Sequence, residues 1–578
     1  MQATSPESRQ PVAGATRSWA APAAAVACIA AGVGVRLALL ADGLPRFDSD
    51  EGTMGIMALH VAHHGEWPAF FYGQPYMGSL EAYLGAIAFR IFGASDFSLR
   101  AGLLPLYAMF VVASYSLLRI AYDRRAALLG LPLLVFGSQE ILSREDKAVG
   151  GYPELLLFGA SLLLVAAWLA QTAVPALPDR RRAGAFALWG LLAGAGIWSD
   201  PLTLPFVVSS GLLLAICCGR ELTRRNALLL VSGALLGLSP AILYNLGSGA
   251  TVRALWHIVS AGGSGHTSPS PAPFLERIAG AFLVSIPVET GGDALCRIPP
   301  QNAWPITVHS SRQVLVCTGV HGAWSVSGTA LWALAAWTGT RSVTRIQRRY
   351  GRGEIHVGSA SLYRRRALTQ LAVLAPAALT LGFFVLSPAS AHAPWYNVRY
   401  LTGLWVTVPA VLGPLASRAL PQTGGRLTVS GATCVLPGAL VLATLVLGTA
   451  TYFDDRYTPW LNHQFASVST TLLRAGDRRV YADYWICDWL AFETKEAVMC
   501  AALGPGLRPS LDRYGPYRVA VRSSRYPAYV FLEQSVEAAQ LRSRLGPRSH
   551  RFRRISIAPY VLYLPARAKQ SRLAEGQS

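Results

Sequence analysis

The chain has 578 residues, of which 52% are hydrophobic and only 14% charged. Soluble domains carry about 25% charged residues, so an ordinary soluble protein is excluded. The formal charge of +20 would suit a nucleic-acid partner, but its Arg clusters lie between apolar runs. There the excess of Lys and Arg on cytoplasmic loops accounts for them, and no nucleic acid is expected.

Residues 1–18 are polar and Ala/Pro-rich and read as a disordered cytoplasmic N-terminus. A spanning helix needs about 20 mainly apolar residues. Runs of that kind lie near 19–41, 98–120, 126–142, 153–173, 184–199, 201–219, 226–246, 320–340, 367–387, 400–418 and 428–452. The expected fold is therefore an α-helical polytopic membrane protein with about 11 transmembrane helices over 19–452. The first run is too long for a signal peptide, and Arg36 follows it where a small-residue cleavage site would stand, so it reads as a retained span. Asp123-Arg124-Arg125, Asp179–Arg182, Arg220–Arg225 and Arg341–Arg366 fall on one face, which the positive-inside rule makes cytoplasmic. The 42–97 loop, the 143–152 loop, the Ser199-Asp200-Pro201 turn, the 247–319 loop and the tail after 453 then lie outside. Such a chain sits multi-pass in the plasma (inner) membrane, N-terminus in and C-terminal domain out.

Cys28, Cys217, Cys218 and Cys434 fall in spans and read as packing residues. Cys296 and Cys317 share the long outer loop, and Cys487 and Cys500 share the outer tail. An even number of cysteines in an oxidising compartment implies disulfides, expected as Cys296–Cys317 and Cys487–Cys500. In that tail, 479–485, 517–521, 528–532 and 555–564 read as strands and 535–545 as a helix, which makes 453–578 a small extracytoplasmic α/β domain. It shows no nucleophile–base or metal pattern, so it either binds acceptor or caps a site. Residues 264–273, rich in Ser, Pro and Gly, read as a lid-like part of the long outer loop.

The stretch that carries chemistry is 47–100. Asp48, Asp50 and Glu51 put three carboxylates in four residues directly after the first span. Acids at a membrane surface are costly to place. They read either as a helix cap, stabilised by the helix dipole, or as the home of a general base that deprotonates an acceptor hydroxyl or amine. Amphipathic runs follow to His64 and, after the turn 72–79, to Phe92-Gly93. His60 and His64 stand i, i+4 apart, which suits zinc, but no Cys or third His follows at ligand spacing. The pair reads as an interfacial helix face. No metal ligand is assigned and no cofactor is firmly implied; a divalent metal stays open.

Asp50-Glu51 after the first span, the helix to His64-Gly65-Glu66-Trp67-Pro68, the Gly-aromatic turn, a second short helix and Phe92–Arg100 leading into the next span form an ordered pattern. It resembles the GT-C superfamily, in particular the family 39 type that includes protein O-mannosyltransferases and aminoarabinose transferases. Trp198-Ser199-Asp200-Pro201, Ser239-Pro240 with Tyr244-Asn245, and Arg399-Tyr400-Leu401 add to the likeness. The resemblance implies a membrane glycosyltransferase, inverting, that takes a sugar from a polyprenyl-phosphate donor to an acceptor (protein, glycolipid or cell-wall polymer) at the outer face of the bilayer. It also implies that the Asp of the first-loop Asp-Glu pair, here Asp50, is the base, ahead of Glu51 and Asp48. Where aminoarabinose transferases carry Lys-Pro-Pro, this chain has Gln74–Ser79, with Gln74 and Tyr76 as substrate-binding candidates. A phosphate-binding Lys is missing there, so aminoarabinose chemistry does not follow. Arg399, beside Trp395, Tyr396 and Tyr400, is the preferred donor-phosphate contact, with Arg46, Arg144 and Lys147 as alternatives. Glu145 and Asp146 are candidates for a second carboxylate, and Asp200 either lines the cavity or caps the next helix. The competing function is a transporter or flippase of lipid-linked saccharides. That class places its ionisable groups near mid-membrane in two matching halves, whereas these acids cluster at the rim.

Overall fold

A computed structural model describes residues 20–172, 179–260, 272–298, 304–306, 310–419 and 429–566. Residues 1–18, and 264–273 apart from its last two positions, lie outside this set. Seven described helical stretches are long and apolar enough to cross a membrane: Pro22–Ala41, Asp96–Ala121, Tyr152–Gln171, Pro201–Glu221, Arg312–Gly351, Val357–Leu386 and Cys434–Ala475. Two bent helix pairs reach the same length and apolarity when taken together, Arg124–Val135 with Gln139–Asp146 at 84° and Arg224–Gly237 with Ser239–Ser248 at 62°, each a broken span or a re-entrant loop.

Seven to nine spans pass by length and composition among the described residues, against the expected count of about 11. The expected span 184–199 lies in a helix, Asp179–Ser199, whose first turn carries Asp179 and three arginines. The expected span 400–418 is a chain of short helices, Val398–Val406, Val408–Val411 and Gly413–Ala419. Pro409 and Pro414 there remove backbone donors and interrupt a continuous helix. Small residues govern the tightest helix contact. A Cβ on Gly190, Gly194, Gly233 or Gly237 would collide with the backbone of the facing helix, so Asp179–Ser199 and Arg224–Gly237 meet backbone to backbone.

Helix α1 (Ala20–Ala41) delivers the chain to the first loop. There Asp48 caps α2 (Ser49–Leu59), accepting from the Glu51 N–H at 3.1 Å. A π-helical turn, His60–His64, ends α2, and Gly65 leaves it in the left-handed region. The following turn closes through a Phe70–Gly78 bridge and is pinned by the Gly78 N–H to the Ser199 carbonyl at 2.9 Å. Helix α3 (Leu80–Phe92) completes the loop.

The last part of the chain folds as a six-stranded sheet with helices. Its strands are β1 (Arg479–Ala482), β2 (Met499–Gly504), β3 (Arg508–Pro509), β4 (Ala528–Leu532), β5 (Phe552–Ile557) and β6 (Tyr560–Pro565), in the order β3-β2-β1-β4-β6-β5. The β2-β1-β4 core is parallel and the edges are antiparallel. Two readings from sequence are corrected here. The stretch 517–521 lies in a helix, Gly515–Arg522: Pro516 suits its first turn, and Tyr517 and Val521, four apart, share its buried face. The stretch 555–564 is a hairpin, β5 and β6, with a turn at Ala558-Pro559. Disulfides join Cys296 to Cys317 and Cys487 to Cys500.

This sheet region packs on α2 through the helix Tyr484–Glu493. A Cβ on Gly52 would meet the backbone at Asp488, and one on Gly55 the Phe492 ring, so both glycines are required for the approach. Phe47 packs on Trp489 and Phe492 with centroids 5.8 and 5.7 Å away. On the bundle side, Glu51 is fully buried and accepts from Arg100 through both oxygens, each at 2.7 Å, and from the Ala148 N–H at 3.4 Å. Removing one partner of such a pair leaves a buried, uncompensated charge. Glu51→Ala is therefore expected to destabilise the protein by about 3–5 kcal/mol, measured by thermal unfolding in detergent; a loss below about 1 kcal/mol would rule out this strut.

Candidate active site

Hydrogen bonding separates the three first-loop acids. Both carboxylate oxygens of Asp48 are engaged, one by the Glu51 N–H and the other by the Lys147 ammonium. Burial pushes the Asp48 carboxyl up, but Lys147 and the backbone bond outweigh it and hold the group below its ordinary value. Glu51 is closed off by Arg100. Asp50 differs: Tyr484 and Arg513 (the latter at 2.9 Å) both donate to Oδ1, and among the described residues Oδ2 has no hydrogen bond. Its side chain is 24% exposed. One oxygen is held and the other is free.

Arg513 fixes this corner. It is 9% exposed, stacks over the Phe71 ring at 5.1 Å, and donates to the Tyr484 hydroxyl at 2.8 Å. With its amide oxygen turned inward, Gln74 accepts from both Arg513 terminal nitrogens at 2.9 and 3.1 Å. Gln74 therefore meets a cation from the far end of the chain. The Tyr76 hydroxyl is pushed up chiefly by burial and further by Tyr400 and Asp200, against the pull of Arg513 and Arg399. The Arg399 guanidinium sits 4.1 Å from the Tyr396 ring centroid and 5.2 Å from that of Tyr400. Among the described residues Arg399 has no carboxylate partner, and its buried Nε makes no hydrogen bond. Its Nη2 reaches the Tyr400 hydroxyl at 3.4 Å.

The other basic candidates are committed elsewhere. Lys147 is bound to Asp48, Arg144 to Glu140 at 2.6 Å, and exposed Arg46 faces Asp483 and Tyr560. Glu145 is buried against Arg36 inside the bundle, and Asp146 is buried beside it without a hydrogen-bond partner, so the structure does not bring either to the Asp50 corner. Asp200 caps the Pro201–Thr203 turn through the Leu202 N–H at 2.8 Å, and burial raises its carboxyl to about 7. Glu81, held well above the ordinary range by burial and by Glu154, receives the Gly150 and Gly151 N–H groups at 2.8 and 3.0 Å and anchors the loop before Tyr152.

Tyr484 and Arg513 were missed in the sequence. Neither lies in a motif, and the only signal was an outer tail long enough to cap a site. Further along the chain from Arg399, Leu404 and Thr407 line an apolar cavity of about 1280 Å³, walled further by Phe282, Trp324, Trp332 and Leu440.

No family model and no curated protein matches the chain by sequence. Solved structures do match it. ArnT from Cupriavidus metallidurans in the apo state has a TM-score of 0.52 at 14% identity, over 94% of this chain and 98% of that one. The same protein bound to undecaprenyl phosphate gives 0.52 at 14% identity, over 93% and 97%. Oligosaccharyltransferase AglB from Archaeoglobus fulgidus gives 0.48 at 13% identity, over 95% and 74%. The likeness to ArnT, over nearly the whole of both chains, is one of fold.

The seam between α2 and the sheet region carries a titratable group. Asp488 is buried, accepts from the Thr53 hydroxyl at 2.7 Å, and is raised by burial from 3.8 to about 7. Between those values the folded protein holds a proton that the unfolded chain has lost, so stability falls as pH rises through roughly 4–7 and levels off above. Asp488→Asn keeps an acceptor for Thr53 and carries no charge. Thermal unfolding is expected to show a shallower pH slope in this variant. Above pH 7 it should be the more stable by at least about 1 kcal/mol; equal slopes would exclude Asp488 as the source.

Proposed function

We propose that the chain is a membrane glycosyltransferase that moves a sugar from a polyprenyl-phosphate donor to an acceptor at the outer face of the membrane, with Asp50 as general base. The observation that carries this reading is the free Oδ2 of Asp50, beside an Oδ1 held by Tyr484 and Arg513. In the reaction, Asp50 Oδ2 takes the proton of an acceptor O–H or N–H. The acceptor lone pair forms a bond to the anomeric carbon from the face opposite the phosphate. The carbon–oxygen bond to phosphate breaks, its electrons stay on the phosphate oxygen, and the configuration inverts. Arg399, without a carboxylate partner, receives the charge that develops there. The apolar cavity lined by Leu404 and Thr407 is suited to the prenyl chain.

The topology belongs to the same proposal. The Arg clusters put the N-terminus in the cytoplasm, and the 453–578 region caps the site from outside. The acceptor is a protein, glycolipid or cell-wall polymer. The undecaprenyl phosphate in the ArnT complex is consistent with the donor class.

Incubation of the purified protein with polyprenyl-phosphate sugars tests the reading. Asp50→Asn is expected to lower the transfer rate by about 10²–10⁴-fold, the usual worth of a general base. Arg399→Ala should raise the donor KM and lower kcat as well, because charge on phosphate grows in the transition state. Unchanged transfer by Asp50→Asn would remove it as the base. Saccharide movement across liposomes with no transfer from any donor would instead assign a transporter.

A further inference from the structure

In the sequence His60 and His64 stand i, i+4 apart with no third ligand at ligand spacing. The fold supplies one from 436 residues further along: Glu496 Oε1 lies 3.0 Å from His60 Nε2. One donor atom from each of His60, His64 and Glu496 falls within 4.8 Å of the others. We propose that these three residues form a divalent-metal site, with zinc the ion its donors suit, that ties the Asp50 helix to the sheet region. This goes beyond the transferase reading and does not depend on it.

The geometry is close to what zinc requires. Ligand atoms on a tetrahedral zinc, with bonds of about 2.0–2.2 Å, sit about 3.3–3.5 Å apart. His60 Nε2 and Glu496 Oε1 therefore separate by only a few tenths of an ångström to admit the ion. His64 is exposed, stacks on His60 with centroids 5.2 Å apart, and makes no hydrogen bond among the described residues, so its ring is free to close the remainder. Both histidines lie on the single π-helical turn of α2's end, a distortion that recurs at functional sites.

An outer shell is already built. Metal-bound histidines almost always donate their second N–H to an oxygen, which fixes the tautomer. His60 Nδ1 stands 2.9 Å from the Tyr72 hydroxyl, which itself donates to Glu66 Oε2 at 2.6 Å. The Tyr517 hydroxyl donates to Glu496 Oε1 at 2.6 Å and fixes the orientation of that carboxylate beside His60. A cavity of about 270 Å³, lined by His63, His64, Phe89, Lys495 and Glu496, gives room for a water in the fourth position. Lys495 brings one positive charge to this rim, against the carboxylates of Glu496 and Glu66. A buried histidine that merely filled its hydrogen bonds would need Tyr72 and Glu496, but would leave His64 and the carboxylate–tyrosine relay without a purpose.

The test uses full-length protein in detergent, stripped with chelator and then titrated with zinc chloride by calorimetry, with metal content read after desalting. The expected result is one zinc per chain. His64→Ala and Glu496→Gln should each weaken it by more than the roughly 10–100-fold that loss of an outer-shell partner costs, and Tyr517→Phe by about that amount. Because His64 is exposed, its replacement should leave the chelated protein's Tm at the wild-type value while abolishing the rise in Tm that zinc gives the wild type. No bound zinc in the wild type, or unchanged stoichiometry and affinity in both ligand variants, would overturn the proposal. Metal content is independent of sugar transfer, so either result stands whether or not transfer is observed.

Discussion

The docking of the Tyr484–Glu493 helix against α2 is the contact on which the arrangement of the site depends. It is possible only because Gly52 and Gly55 present no side chain where Asp488 and Phe492 lie. Once docked, the sheet region brings Tyr484 and Arg513 to Asp50, Asp488 to Thr53, and Glu496 to His60. Three polar links thus run along one seam little more than ten residues long on α2 and its π-helical end. They are anchored by apolar packing of Phe47 on Trp489 and Phe492, and of Trp489 on Phe465 at 3.5 Å between ring centroids. Buried polar links cost desolvation and repay it mainly in geometry. Here the aromatic packing supplies the affinity and the polar links fix where Asp50 points.

The same logic divides labour among adjacent acids. Asp48 spends both oxygens on the cap and on Lys147, which draws the 147–152 loop toward α2. Glu51 spends both on Arg100 and joins α2 to the span beginning at Asp96. These two hold the loop in place, and the residue between them keeps one oxygen unspent. A carboxylate at a water–lipid interface is expensive, and each of the three is matched by a cation: Asp48 by Lys147, Glu51 by Arg100 and Asp50, through one oxygen, by Arg513.

Much of this was legible in the sequence because it is local. Apolar length marks the spans, an Asp ahead of an amphipathic run marks the cap of α2, and Gly65 marks its end. What was not legible falls into two kinds. Apolar length does not register Pro409 and Pro414, which turn a hydrophobic run into short helices, and β-branched or aromatic composition does not register that Tyr517 and Val521 share a helical face behind Pro516. The second kind is distance: Tyr484 and Arg513 meet Asp50 from 434 and 463 residues away, and Glu496 meets His60 from 436. No spacing rule reaches that far. Arg399 was legible through its aromatic neighbours, whereas its isolation from carboxylates emerged only when Lys147, Arg144 and Arg46 were seen to be committed to other partners.

That isolation bears on how an amphiphilic donor would be recognised. A prenyl chain leaves a bilayer as apolar as any groove in the protein, so burying it in the cavity lined by Leu404 and Thr407 gains little from the hydrophobic effect. Affinity for such a donor has to come from its charged end. Arg399, flanked by Tyr396 and Tyr400 and without a carboxylate partner among the described residues, is the guanidinium to which the proposed reading assigns that end. The cavity then acts through shape. On the proposed reading, holding the first isoprene units there would set the direction from which the phosphate meets Arg399, and with it the face of the sugar turned toward Asp50.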